Sequence, residues 1–544
     1  MKRLIPVLAF CASLFAARVA SACGGFFCSR APIDQSGEKI LFAVDSSGIE
    51  VHVQISYTGS DADFAWVVPT RQVPTLSVGS DAVFSALAQR TAPQFNLRYH
   101  APGFCGFGGE AQNGSPGFSA ASDLGVFAGD GGAPPVNVIS QSTVGPYDSV
   151  VLQSSDPKAL ATWLRSNNYN LTPEAEVLID PYVVENDYFV ALKLHAGATA
   201  TDIQPIVLHF AGSEPCVPLR LTAVAAINNM EVTAFLLGSA RAVPTNFYEV
   251  RPNWLRIDWR SGGYNYKQVV SEAALEAGGN AFVTEFAGSS SVVDGAFDTS
   301  RYDLALLRST TDPIAYVQIL INEGFTGNSL LLDILRKWIP EPQSLISQGV
   351  PEQSFYNNLS FYRDALAGFA FDPVGMTDDI NMKIVAPLQS AAALFARLPY
   401  LTRLFTEISP AQMTKDPTFA YNSELPDVSN LHTADGYYGC NYDDPVKIVL
   451  DDGRYVYVDN TAQSTMLIDS MPAAESWYQM GPTGLGTLVG TNDKQINNFL
   501  AQHGFSGSGG CTVAPSGSPL VASLALLAAT GALWLGLRRR RRSA

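Results

Sequence analysis

The stretch Ile49-Glu50-Val51-His52-Val53-Gln54-Ile55-Ser56-Tyr57 alternates apolar and polar residues over the length of one strand. Because successive side chains of a strand point to opposite faces of a sheet, this alternation is typical of a half-buried antiparallel strand. The stretches Lys39–Val44 and Phe64–Val68 are predicted to be its neighbours. The folded part of the chain is therefore expected to begin as a β-rich domain.

The domain organisation follows from length and composition. About 480 residues separate Cys23 from Gly510, which is too many for one compact core. The sequence shifts to Gly, Ser and Asp over Gly288–Thr299, and helix signals such as Asp312-Pro313 dominate beyond it. We predict an α+β fold, with an antiparallel β-rich domain at 23–290 and a helix-rich domain at 300–500 that carries a hairpin near 446–458.

Within the first domain, helices are predicted at Ser80–Thr91 and after Asp156-Pro157, and a strand at Leu219–Ala225. A further strand is predicted where Trp254, Arg256 and Asp258 share one parity and apolar residues share the other. Such an outward face suits a binding surface for a polysaccharide or a peptide. A solvated sheet face explains the same pattern.

Both ends of the chain resemble sorting signals. Lys2 and Arg3 precede an apolar run, and Ala20-Ser21-Ala22 has the small residues at which a secretory signal peptide, residues 1–22, is cut before Cys23. A tether at 506–518 leads to the uncharged stretch Leu520–Leu537, about 27 Å long as a helix, and then to five arginines. We therefore expect an exported body, a transmembrane helix in 519–544 and a cytoplasmic C-terminus. Signal peptidase and the membrane are the implied partners.

The order glycine, cysteine, short spacer, apolar helix and arginine cluster over Gly510–Arg542 resembles the MYXO-CTERM sorting signal of myxobacterial surface proteins. In that family the helix is a temporary anchor. The resemblance implies that a protease of the rhomboid or CAAX type processes the tail near Gly510 and Cys511. The mature protein is then expected at the cell envelope or cell surface.

The cysteines are widely spaced and form no CxxC pair or Cys/His cluster, which favours disulfides in an oxidising compartment over zinc. Cys11 leaves with the signal peptide and Cys511 belongs to the tail, so the odd set of candidates is Cys23, Cys28, Cys105, Cys216 and Cys440. Either one thiol stays free, or Cys23 is lipidated rather than bridged to Cys28. A Cys216–Cys440 bridge would join the two predicted domains, although Cys105 is an equal candidate for either partner.

The search for chemistry gives few candidates. Without the eight basic residues at the two ends, the net charge of −16 becomes −24, which disfavours binding of nucleic acid. The sequence contains no GxSxG, Walker or HExxH motif, so no catalytic residue, cofactor or metal is assigned. An acidic set around Cys440 has the oxygen ligands that calcium prefers, but it matches no calcium-loop pattern and is also typical of turns: Asp435, Asn441, Asp443, Asp444, Asp451 and Asp452.

Several blocks resemble a bacterial family of secreted proteins defined as a domain of unknown function (DUF 2330): 23–28, 34–35, 37–40, 64–69, 218–222, 241–244 and 401–404. The resemblance implies secretion and a shared fold, and it brings no known activity. We predict a surface-anchored envelope protein with a binding or structural role. The alternative is a secreted hydrolase of envelope or prey polymers. Two carboxylates, or a Ser/His pair, converging in a deep apolar-walled pocket would favour that alternative.

Overall fold

The computed structural model describes residues 35–54, 64–101, 136–169, 171–196, 198, 202–440, 444–459 and 467–503. The chain forms a large compact unit through Phe499 and a second unit from Leu500, of which the structure describes the end of one helix. Among these residues, no helix is both long and apolar enough to cross a membrane. The predicted signal peptide, tether and tail helix lie outside the described ranges.

The strands in these ranges are β1 (Gln35–Asp45), β2 (Gly48–Gln54), β3 (Ala65–Thr70), β4 (Thr75–Val78), β5 (Gln94–His100), β6 (Asn137–Val144), β7 (Tyr147–Gln153), β8 (Tyr188–Leu194), β9 (Ile206–Phe210), β10 (Ala226–Gly238), β11 (Arg241–Pro244), β12 (Tyr248–Pro252), β13 (Ala281–Ser289), β14 (Tyr400–Ile408), β15 (Phe419–Asn422), β16 (Leu431–Tyr437), β17 (Val446–Leu450), β18 (Tyr455–Val458), β19 (Ala474–Gln479) and β20 (Thr487–Thr491).

The α-helices are α1 (Asp81–Thr91), α2 (Pro157–Ser166), α3 (Pro173–Val184), α4 (Leu219–Thr222), α5 (Tyr266–Glu276), α6 (Leu304–Ser309), α7 (Pro313–Asn322), α8 (Leu331–Trp338), α9 (Gln343–Ser347), α10 (Glu352–Asn357), α11 (Pro373–Ile380), α12 (Ala386–Arg397) and α13 (Asp493–Gln502). A π-helical turn at Asn381–Val385 joins α11 to α12.

The central element is a ten-stranded sheet with the order β20-β19-β12-β13-β14-β10-β1-β2-β9-β4. A four-stranded sheet, β3-β8-β7-β6, packs against part of it and is called the four-stranded sheet below. Two further sheets are β18-β17-β16-β5, also of four strands, and the two-stranded β11-β15. Most neighbours are antiparallel, but β1 with β10, β12 with β13, and β5 with β16 are parallel. The mixed α/β character is therefore confirmed, although the sheets are not purely antiparallel.

The alternation of side chains along β1 explains how the layers form. Ile40 and Phe42 enter a core between the ten-stranded and four-stranded sheets, which also contains Trp66 of β3. Leu41 and Ala43 enter a second core on the opposite face, against helices α1 and α6–α12. A third core lies between the four-stranded sheet and helices α2 and α3. Because this part of β1 is covered on both faces, residues 40–44 form a continuous apolar run.

The predicted helix starts depend on capping side chains. Ser80 Oγ accepts a hydrogen bond from the Ala82 amide at the start of α1, and Asp156 accepts one from the Lys158 amide at the start of α2. Pro157 occupies the first turn of α2, where a missing N–H leaves no bond unmade. Both predicted helices are confirmed, as is the antiparallel hairpin of β17 and β18.

Two predicted strands are wrong. The stretch Leu219–Ala225 contains the short helix α4 instead of a strand. The stretch that carries Trp254, Arg256 and Asp258 forms two 3-10 turns, Trp254–Arg256 and Trp259–Ser261. The cause is local, because Asn253 and Asp258 accept hydrogen bonds from backbone amides two and three residues ahead, and these bonds turn the chain.

The predicted boundary over Gly288–Thr299 coincides with the point where the chain leaves the ten-stranded sheet at the end of β13. Helices α6–α12 follow, and the chain then returns as β14 between β13 and β10. The residues before and after this stretch therefore contribute strands to one sheet.

Candidate functional site

A cavity of about 260 Å³ lies between the ten-stranded sheet and the four-stranded sheet. Its walls are mainly apolar side chains of β1, β2, β3 and β9, namely Ile40, Phe42, Ile49, Val51, Val53, Trp66, Val68, Leu208 and Phe210. Polar groups reach it from α4, from the end of α3, from the loop before β15 and from the segments that follow β3 and β9. The cavity is thus an apolar space with a small number of ionisable groups.

Glu38 enters this cavity because it lies on β1 with the same parity as Ile40 and Phe42. Only 5% of the residue is exposed. Its hydrogen-bond partner is the hydroxyl of Thr222, which lies 3.4 Å from Oε2 and also 3.2 Å from the carbonyl oxygen of Pro218. Burial raises the pKa of Glu38 to about 7. The carboxyl group is therefore weakly solvated and weakly paired.

Asp416, by contrast, has strong partners. The Arg220 amide donates to Asp416 Oδ1 at 2.8 Å, Arg220 Nε donates to Oδ2 at 2.9 Å, and the Tyr182 hydroxyl donates to Oδ1 at 3.0 Å. The Arg220 guanidinium also lies over the Tyr182 ring, 4.4 Å from its centroid. Burial raises the pKa of Asp416, and the bonds from Arg220 and Tyr182 oppose that rise. Both carboxylate oxygens are occupied.

The entrance of the cavity is marked by its exposed lining residues. Arg71, after β3, and Glu214, after β9, form an ion pair at 3.7 Å, and each side chain is more than half exposed. Asp187 lies nearby and is itself buried, and burial together with the Glu185 charge raises its pKa to about 6. Charged side chains therefore lie at the entrance, between the end of β3 in one sheet and the end of β9 in the other.

Cys216 also lines the cavity and is a free, half-buried thiol. The predicted Cys216–Cys440 bridge is therefore wrong. Cys440 is disulfide-bonded, and its partner lies outside the described residues. Burial, with a contribution from the Asp416 charge, raises the pKa of Cys216 to about 12, so the sulfur stays protonated near neutral pH.

The predicted binding face is divided between two environments. Arg256 and Asp258 line a second, more polar pocket of about 450 Å³ that also contains Arg260, Tyr264 and Asp469. Arg256 is 4% exposed and pairs with Glu272 at 2.6 Å.

Trp254 is absent from that pocket's lining. Its ring packs against His432 at 4.5 Å and against Phe95 at 6.2 Å between ring centroids. The three residues therefore do not form one outward face.

The acidic set around Cys440 is largely paired with cations. Asp435 accepts hydrogen bonds from Arg98 and His100, which hold its pKa at about 2, and Asp451 lies 3.3 Å from Arg98. Asp452 pairs with Arg454. No group of three His, Cys, Asp or Glu side chains suited to a metal is found in the part of the chain that the structure describes. Asn441 and Asp443 lie outside that part, as do the candidates Ala22, Cys23, Cys28, Cys105, Gly510 and Cys511.

Sequence reasoning missed Glu38, Arg220 and Asp416 as site residues. Glu38 and Arg220 lie inside the blocks quoted for the family resemblance, and Glu38 is a charged residue on an otherwise apolar strand face. A charged residue at a position that faces the core could therefore have indicated a site. Asp416 carries no local signal, because its role depends on contacts made across nearly two hundred residues.

The fold and the cavity define a layered mixed α/β protein with a cavity between two of its sheets that several acidic side chains line. The family model for an uncharacterized protein conserved in bacteria (DUF2330) matches residues 17–326, more than half of the chain. The chain belongs to this family. The curated proteins and the solved structures contain no match to the chain.

Proposed function

We propose that this protein is an exported, surface-anchored envelope protein that binds a small, largely apolar molecule between its two main sheets. The observation that carries the proposal is the cavity of about 260 Å³, in which apolar walls meet polar groups from several segments of the chain. Well-packed cores have few voids larger than a water molecule. A concave space of this kind, with apolar walls and convergent polar groups, is the usual form of a small-molecule site.

Binding can be tested with Nile red, an uncharged dye whose fluorescence increases in apolar surroundings. Ala211 is exposed and lines the cavity, so Ala211→Trp should obstruct it without overpacking the core. Ala370 is equally exposed and does not line the cavity, which makes Ala370→Trp the matched control. We expect saturable binding by the wild type and by Ala370→Trp, and loss of binding in Ala211→Trp. Equal binding by all three proteins, or binding by none, would contradict the proposal.

Export and anchoring are proposed from the two ends of the sequence. The apolar stretch Leu520–Leu537 is long enough to hold the chain in a membrane, and the following arginines set its direction. Deleting residues 520–544 should release the protein into the medium. Cys511→Ser should leave an uncut protein in the inner membrane, as measured by fractionation and immunoblotting. If Cys511→Ser reaches the surface at normal mass, the tail is a plain transmembrane anchor and the sorting proposal is wrong.

A hydrolase is the second candidate, and one observation favours it. Glu38 and Asp416 both line the same apolar-walled cavity, and a carboxyl group with a pKa of about 7 suits general acid catalysis. Against it, both oxygens of Asp416 are bound by Arg220 and Tyr182, so Asp416 is not free to form a reactive pair with Glu38.

The hydrolase can be tested by incubating purified cell-wall peptidoglycan with the protein and measuring soluble fragments. Release of fragments that is abolished in Glu38→Gln would support the enzyme. No release by the wild type would count against it on this substrate, and so would equal release by the variant.

A further inference from the structure

The charges around the inter-sheet cavity are unbalanced. Among the charged side chains of its lining, acids outnumber bases: Glu38, Glu185, Asp187, Glu214 and Asp416. Among the described lining residues, Arg71 is the one Lys or Arg, and Arg220 lies just behind the wall. An anionic ligand would therefore meet several like charges.

The available cations are already engaged. Arg220 binds Asp416 and also reaches Glu185 at 3.2 Å, and Arg71 pairs with Glu214. Within the described part of the chain, no lysine or arginine forms an ion pair with Glu38. Glu38 Oε2 accepts from the Thr222 hydroxyl at 3.4 Å, and the same hydroxyl also lies within reach of the Pro218 carbonyl oxygen. A carboxyl group that is 5% exposed, weakly bonded and part of a cavity wall is thus left without a cation.

We infer that the ligand is a cationic amphiphile, an apolar body that bears an amine, and that Glu38 is the counter-ion of its ammonium group. This inference rests on the proposed binding function. A buried carboxylate is costly unless it is paired and hydrogen-bonded, and an alkylammonium supplies both a charge and N–H donors. The apolar body would lie along Ile40, Phe42 and the Trp66 side of the cavity.

Three probes of equal chain length can show which head group the cavity prefers, separately from whether it binds a ligand at all. Octylamine, 1-octanol and octanoate differ in their head group, and each is measured by displacement of Nile red at pH 8. At this pH the amine is a cation and octanoate is an anion. We expect octylamine to displace the dye at a concentration at least about tenfold lower than octanol, the range of a charge-assisted hydrogen bond, with octanoate weakest.

Two variants assign the preference to Glu38. Glu38→Gln should bind octanol as the wild type does and should lose the preference for octylamine. Glu214→Gln removes an exposed carboxylate from the same cavity and should keep that preference. Retained octanol binding shows that the variant cavity is intact.

The outcomes distinguish the two levels of the proposal. If octanol and octylamine bind equally to the wild type, the amine inference is wrong and the binding function stands. If Glu38→Gln keeps the preference, the assignment of Glu38 as the counter-ion is wrong. If neither Nile red nor any probe binds the wild type, the proposed function itself is wrong.

Discussion

The buried carboxyl group of Glu38 predicts an unusual dependence of stability on pH. Its pKa is raised from 4.5 to about 7 by burial, so the folded protein holds this proton more tightly than the unfolded chain does. A pKa difference of roughly 2.5 units corresponds to about 3 kcal/mol. The full contribution is present below pH 4.5 and is lost as the pH rises through about 7.

Glu38→Gln removes the ionisable group while nearly keeping its shape. Above pH 7 the variant should therefore be more stable than the wild type by up to about 3 kcal/mol, and the two should converge near pH 4.5. The assay is urea unfolding followed by tryptophan fluorescence at several pH values, with the change in free energy taken from the midpoints. Asp180→Asn is the control, because Asp180 is exposed on α3 and its substitution should change stability by less than about 0.5 kcal/mol at any pH.

A difference between wild type and Glu38→Gln that does not vary from pH 5 to pH 9 would refute the reasoning. So would a variant that is less stable at pH 8, because that result would mean that the carboxylate is well paired in the folded state. Octylamine at saturating concentration should reduce the difference, since a bound cation removes the penalty for ionising Glu38.

Four further predictions follow from single contacts. Arg220→Ala leaves the buried Asp416 carboxylate without its cation and should destabilise the protein by about 3 kcal/mol in urea unfolding at pH 8; an unchanged midpoint would show that Tyr182 alone suffices. Cys216 should react with a thiol reagent far more slowly in the folded protein than in urea at pH 8, and equal rates would show an accessible thiolate. Phe235→Ala should cost about 3–5 kcal/mol in the same unfolding assay, because Phe235 is fully buried against Phe84, and a cost below about 1 kcal/mol would contradict that packing. Asp156→Ala should cost about 1 kcal/mol through loss of the cap of α2, whereas Asp156→Asn should cost less.

Elements with local signals could be predicted from the sequence. The strand at 49–57 appears as β2 within the described residues, and the helix after Ser80 begins at the next residue. The Asp452-Gly453 turn joins β17 to β18, with Gly453 at a positive φ of 86° that suits glycine. In each case the residues that determine the conformation lie within a few positions of it.

Elements whose conformation depends on capping or on distant partners were harder to predict. Alternation at Trp254–Arg260 indicated a strand, but the side chains of Asn253 and Asp258 bind backbone amides and turn the chain twice. The pattern of polarity was observed correctly, and the competing hydrogen bonds decided the structure. Likewise, nothing near Tyr400 indicates that β14 inserts between β13 and β10, because that register is determined by strands more than one hundred residues earlier.

The candidate site was also hard to predict from the sequence, because its residues come from distant segments of the chain. Glu38 lies on β1, Thr222 on α4 and Asp416 before β15, so the cavity's polar edge is assembled from segments nearly two hundred residues apart. Each segment has an ordinary sequence by itself, and the two acids acquire different roles only through their neighbours. Arg220 and Tyr182 bind both oxygens of Asp416, whereas Glu38 has a shared hydroxyl and apolar walls. Because the described part of the chain supplies a cation to one buried acid and none to the other, the missing charge at Glu38 is the feature that a ligand amine would supply.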